Sequence, residues 1–172
     1  ASFYHNEEFV AQAMKEVSVN REEIFLVTKA WKTQMGYKEV QEAFEESLKK
    51  LETDYVDLYL IHWPLPETGY KEWKQLDIDT WKALEELYAA GKVKGIGVSN
   101  FLPHHLENLM QNAEVKPMVN QIEFHPGYTQ EATVEYCQKN DILVQAWSPL
   151  GRTRVLNAPF LVYKVLPSKS ST

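Results

Sequence analysis

Cysteine is almost absent from this chain. Cys137 stands alone in 172 residues, so no internal disulfide framework exists and a reducing, cytoplasmic setting is expected. Long apolar runs are missing too. Although 44% of the residues are hydrophobic, no run reaches the roughly 18 residues that span a bilayer. The opening residues, Ala1 to Glu8, are polar and acidic and lack the pattern of a secretory leader. Excess positive charge is lacking: the net charge is −6, which argues against a general role on nucleic acid or an anionic membrane. A local basic site for a phosphorylated ligand stays open. Low-complexity stretches and linkers are missing, so residues 1–172 read as a single domain. Finally, there is no Gly-x-Gly-x-x-Gly, which argues against a Rossmann dinucleotide fold.

What is present is alternation. Asn6 reads as a helix cap, with Glu7 and Glu8 in the first turn of a helix running to about Val17. Ile24 to Thr28 is a short apolar run ending at Lys29. Val40, Ala43, Phe44, Ser47, Leu48 and Leu51 recur at helical spacing. Val56 to Ile61 is strand-like and stops at His62, because Pro64 forbids continuation. Trp81, Leu84, Leu87 and Tyr88 mark a helix that stops near Gly91. Val93 to Val98, Met118 to Ile122 and Ile142 to Trp147 read as further strands. Pro103 starts a helix carrying Leu106, Leu109 and Met110. Thr129 is the expected cap of the next helix, in which Cys137 packs as a buried residue. The longest irregular piece is Pro64 to Leu76.

Strand–helix repetition with short connections predicts a parallel sheet with covering helices. The polar residues choose between an open sheet and a barrel. Lys29, His62, Ser99-Asn100, Gln121 to Glu123 and Ser148 all fall at strand carboxyl ends. Five converging strand ends are natural at a barrel mouth, where barrel enzymes hold their chemistry.

These residues resemble one family, the aldo-keto reductases. Tyr4-His5-Asn6-Glu7 is similar to its tyrosine motif, and Phe25 to Lys29 with Trp31 to its lysine strand. Val56 to Pro64 resembles its histidine strand. Gly95 to Phe101, Asn120 to Pro126 and Ala146 to Gly151 resemble three further signatures. Six matches in the right order cover most of the chain. The resemblance implies a (β/α)8 TIM barrel that reduces aldehydes or ketones with NADPH. Tyr4 would protonate the carbonyl oxygen, Lys29 would assist it, and His62 would orient the carbonyl. Ser99, Asn100 and Gln121 would hold the nicotinamide carboxamide, and Trp147 would stack on its ring. Ser148, Leu150 and Arg152 would lie near the pyrophosphate, and Lys169 with Ser170 at the 2′-phosphate. Trp31 and Trp63 would wall the substrate pocket. No metal is implied, and the expected partner is a small carbonyl compound met by a monomer.

The residue types fit that chemistry. A free tyrosine has a pKa of about 10. An ammonium at about 4 Å, with an effective dielectric near 20, favours phenolate by roughly 4 kcal/mol, which lowers the pKa by about three units. Blander readings sit beside the sharp ones. Tyr4 alone reads as a surface aromatic, Lys29 as a solvated cation, and Trp31 and Trp63 as packing residues. His104-His105 read as solvated residues at a helix start, and His125 as structural. Lys49-Lys50 and Glu45-Glu46 read as an exposed helix face. Glu123 suggests a glycosidase carboxylate, but no equally convincing second carboxylate accompanies it.

Two departures from the family suggest an incomplete chain. The Asp-Thr that relatives carry before Ala1, whose aspartate pairs with the lysine, is not in this sequence, nor are the opening strands. Only seventeen residues separate Trp147 from Val165, where relatives place a helix before the last strand. The length also falls below the roughly 200 residues usual for such barrels. The expectation is therefore a partial barrel. Its alternative is a catalytically impaired, reductase-like barrel acting as a binding or accessory subunit.

Overall fold

A computed structural model describes residues 1–66, 68–69, 71–154 and 156. Five parallel strands form one sheet in sequential order: β1 (Val27–Ala30), β2 (Leu58–Ile61), β3 (Ile96–Ser99), β4 (Val119–Glu123) and β5 (Leu143–Trp147). Five helices accompany them: α1 (Glu7–Glu16), α2 (Tyr37–Leu51), α3 (Trp73–Ala89), α4 (Pro103–Met110) and α5 (Glu131–Lys139). Consecutive parallel strands linked through helices are the repeat of a (β/α) barrel, here five strands of it. Among the described residues β1 and β5 each pair on one side only. Leu143 on β5 is accordingly 66% exposed, whereas every residue of β2 and β3 is buried.

The helices cover one face of the sheet because their apolar stripes demand it. Val40, Phe44, Leu48 and Leu51 line one side of α2, and Phe44 meets Tyr59 edge-on with ring centroids 4.8 Å apart. Trp81 of α3 is buried, and its indole N–H donates to the Val115 carbonyl at 2.9 Å. Gly97 lets β3 approach β4: a Cβ there would stand 2.6 Å from the Val119 carbonyl oxygen. Cys137 is buried, and burial pushes its thiol pKa up. Lys50 pairs with Glu46 along the exposed face of α2 at 2.6 Å.

Several boundaries differ from expectation. The irregular segment after His62 ends earlier, since α3 begins at Trp73. The cap position of α5 is Gln130 rather than Thr129. Asn6 does occupy the cap position of α1, but its side chain makes no capping bond. Glu7 instead turns inward and accepts the Thr28 hydroxyl at 2.6 Å. His105 is buried, not solvated. Its Nδ1 accepts the Leu102 N–H at 3.1 Å, so it caps its own helix through the side chain. Burial, aided by neighbouring His104, pushes the His105 pKa down to about 4.

Asp77 of α3 is fully buried beneath the β2–α3 connection. Its Oδ1 accepts a long hydrogen bond from the Leu65 N–H at 3.4 Å, and Oδ2 has no partner among the described residues. Burial raises its pKa to about 7 against the pull of the Leu65 N–H. The folded state thus binds the proton more tightly than the unfolded chain. That contribution to stability is complete below about pH 4 and is lost as pH rises through about 7. Asp77→Asn keeps the acceptor and removes the charge. Thermal melts should show the variant gaining stability relative to the parent as pH rises from about 4 to 7 and keeping that gain above it; parallel profiles across that range would contradict a neutral buried Asp77.

Candidate active site

The carboxyl ends of β1, β2, β3 and β5 open onto one cleft of about 380 Å³. Ligand pockets usually begin near 300 Å³. Phe3, Tyr4, Lys29, Trp31, His62, Trp63, Ser99, Asn100, Trp147, Ser148 and Arg152 line it. A broader groove of about 580 Å³ lies on the outer side of α2 and α3, but its walls are surface carboxylates, lysines and small apolar groups.

Tyr4 comes from a 3-10 turn, Ser2–Tyr4. Ser2 Oγ ties that turn to β1, lying 3.2 Å from the Lys29 carbonyl and 2.8 Å from Gln34 Oε1. The turn aims Tyr4 Oη at His62 Nε2, 3.3 Å away. Tyr4 therefore shares a hydrogen bond with the histidine rather than with Lys29. The Tyr4 side chain stays accessible, with the residue 55% exposed. Phe3 stacks on Trp31 with centroids 3.9 Å apart, and Trp31 meets His62 edge-on at 5.0 Å.

His62 is buried, and Nδ1 has no partner among the described residues. Burial, then the charge of Lys29, pushes its pKa down to about 4. The imidazole is therefore neutral across the ordinary working range. An orphaned lone pair on Nδ1 costs less than an orphaned N–H, so the proton belongs on Nε2, facing the cleft and Tyr4 Oη. Burial also lowers the pKa of Lys29. No carboxylate among the described residues forms an ion pair with it.

The amides at the strand ends bond to one another. Asn100 Nδ2 donates to the His62 carbonyl at 3.0 Å and to Ser99 Oγ at 3.1 Å. Asn100 Oδ1 accepts the Trp147 indole N–H at 2.8 Å. Ser99 Oγ donates to the Gln121 carbonyl at 2.7 Å, and Gln121 Nε2 to Gln145 Oε1 at 2.8 Å. Gln121 is beside the cleft rather than in its wall, and Leu150 is exposed outside it. Lys169 and Ser170 lie outside the described residues. Phe3 lines the cleft without a signal in the sequence beyond adjacency to Tyr4, and Gln145 of β5 is linked to it only through its bond with Gln121. Glu123 lies off the cleft, 3.6 Å from His125 Nε2, where His125 also contacts the Pro126 carbonyl.

The family profile described as "Aldo/keto reductase family" matches residues 1–158. The chain belongs to the aldo/keto reductase family. Among aldo/keto reductases related to it, the glyoxal reductase of Bacillus subtilis is 50% identical over 157 residues, covering 91% of this chain and 54% of that protein. The solved aldo/keto reductase of Brucella melitensis is 46% identical with a TM-score of 0.87, covering 94% of this chain and 60% of that one. A variant of the protein called Gox0644, solved in complex with NADPH, is 43% identical with a TM-score of 0.84, covering 95% of this chain and 56% of that one. The chain spans about half the length of the curated relatives it matches.

Proposed function

We propose that this chain forms the carbonyl-reducing half of an NADPH-dependent aldo/keto reductase acting on small aldehydes or ketones, and that residues 1–172 belong to one barrel domain. The observation that carries the reading is the Tyr4–His62 contact of 3.3 Å inside a cleft that also holds Lys29. Two polar hydrogens, the Tyr4 hydroxyl and the His62 Nε2–H, converge where a carbonyl oxygen would sit. Without substrate the His62 Nε2–H is directed to the phenol oxygen; an incoming carbonyl oxygen would take over that hydrogen beside the Tyr4 O–H. Developing charge on the substrate oxygen is met by that O–H, with the Lys29 ammonium supplying a positive field. Trp31, Trp63 and Phe3 give the cleft apolar walls.

The residues fit the nicotinamide end of NADPH in part. Trp147 offers a ring face, Arg152 a cation at the cleft, and, beside the cleft, Gln121 Oε1 an amide acceptor with no hydrogen-bond donor on it among the described residues. Ser99 and Asn100 have their side-chain polar atoms engaged within the protein. NADPH, when bound, would supply the hydride. The Bacillus subtilis relative named for glyoxal suggests small aldehydes as substrates.

Absorbance assays of NADPH with a panel of aldehydes that includes glyoxal test the proposal. Turnover should occur, and it should not fall between pH 8 and 6 through His62, which stays neutral down to about pH 4. Absence of NADPH oxidation with every member would overturn it. One observation favours the alternative of a binding or accessory barrel: Lys29 has no ion pair among the described residues. That reading expects NADPH binding without turnover.

A further inference from the structure

Histidines that work on a substrate are usually oriented through the ring nitrogen that faces away from it. His62 has no such orienter, because Nδ1 is buried without a partner among the described residues. Its ring is held by aromatic edges and by the contact with Tyr4. The main chain is held differently. The His62 N–H donates to the Ala30 carbonyl at 3.0 Å, and its carbonyl accepts Asn100 Nδ2 at 3.0 Å. Asn100 is fixed in turn by the Trp147 indole N–H at 2.8 Å. These bonds run from the end of β5 to the end of β3 and on to the end of β2, passing over β4.

We propose that Trp147 and Asn100 form a latch that positions His62 through its backbone carbonyl, a role separate from any contact either residue makes with a cofactor. Asn100 sits at φ 63, a left-handed conformation that asparagine tolerates and most residues do not. In that conformation both ends of its carboxamide find partners. Every hydrogen-bonding group of the carboxamide is used: both amino hydrogens donate and the oxygen accepts. Trp147 is a positioning residue in this scheme, since it reaches His62 through Asn100.

The kinetic arm of the test rests on the carbonyl-reduction reading; the spectroscopic arm does not. Trp147→Phe keeps an aromatic face and removes the N–H. Asn100→Asp keeps the left-handed backbone and the acceptor for Trp147, and loses the donor to His62. In the full-length protein each should lower kcat about tenfold or more, because small misplacements of a reacting group are costly. NADPH Kd for Trp147→Phe, read by fluorescence, should change less than about threefold, since the ring remains. The double variant should be no slower than the slower single variant, as residues acting in series are not additive. In the ligand-free protein the ¹⁵N resonances of the His62 imidazole should move in both single variants. Unmoved His62 resonances, additive losses, or a weakened NADPH Kd with intact kcat would each overturn the latch. If the parent protein oxidises no NADPH, carbonyl reduction falls, and the His62 resonances still decide the latch.

Discussion

Tyr4→Phe should lower kcat for aldehyde reduction by about 10²–10⁴-fold, the usual worth of a positioned general acid. The phenyl ring keeps the edge contacts that Tyr4 makes with Phe3 and His62, at centroid distances of 5.4 and 5.5 Å. Only the hydroxyl is lost, and with it the bond to His62 Nε2. The side chain is largely exposed, so stability should change by no more than about 0.5 kcal/mol. Single-turnover measurements at saturating NADPH separate the chemical step from cofactor binding. Equal turnover by parent and variant would remove Tyr4 from the reaction.

The largest expected effect on stability lies at the opposite end of the strands. Asp57, just before β2, is 6% exposed. Its Oδ2 accepts the Leu26 N–H at 2.9 Å and Arg21 Nη1 at 3.0 Å, and its Oδ1 accepts Lys94 Nζ at 2.9 Å. Arg21 donates as well to the carbonyls of Ile24 and Tyr55 and lies over the Tyr55 ring at 4.0 Å. Asp57→Ala would strand a mostly buried guanidinium and an amide. Removing one partner of such a pair costs about 3–5 kcal/mol. Lys94 is half exposed and adds little. A urea titration with an unchanged slope and a lowered midpoint checks this; a loss below about 1 kcal/mol would contradict it. Burial pushes the Asp57 pKa up, but the Leu26 N–H, Lys94 and Arg21 together bring it below its ordinary value. Its stabilising contribution is therefore present above about pH 4 and fades as pH falls further. Turnover per folded molecule should be unchanged, because Asp57 does not line the cleft.

The strands were legible because each apolar run ends in a polar residue or a turn signal. His62 before Pro64 is the plainest case, and the structure ends β2 where the apolar run ends, at Ile61. Placement of Tyr4 beside His62 could not be read from local periodicity, since the two are 58 positions apart and Tyr4 lies on a short 3-10 turn. Its link to the site came from the resemblance. Arg21, Asp57 and Lys94 give no signal for a similar reason: each is an ordinary charge in its own segment, and only the fold brings them together. His105 reads as solvated in the sequence because side-chain capping by Nδ1 leaves no mark in a His-His pair. For Asn100, residue type suggested an amide awaiting a ligand, while packing at the strand ends gave its polar atoms protein partners.

The ion network of Asp57 and the cleft around His62 stand at opposite poles of the same strands. Folding robustness and chemical selectivity are thereby written in different residues. Mutational drift among Phe3, Trp31 and Trp63 can retune which molecules enter while Arg21 and Asp57 keep the scaffold upright. Laboratory evolution aimed at a new substrate therefore has a rim on which to spend its variation and a base to leave alone.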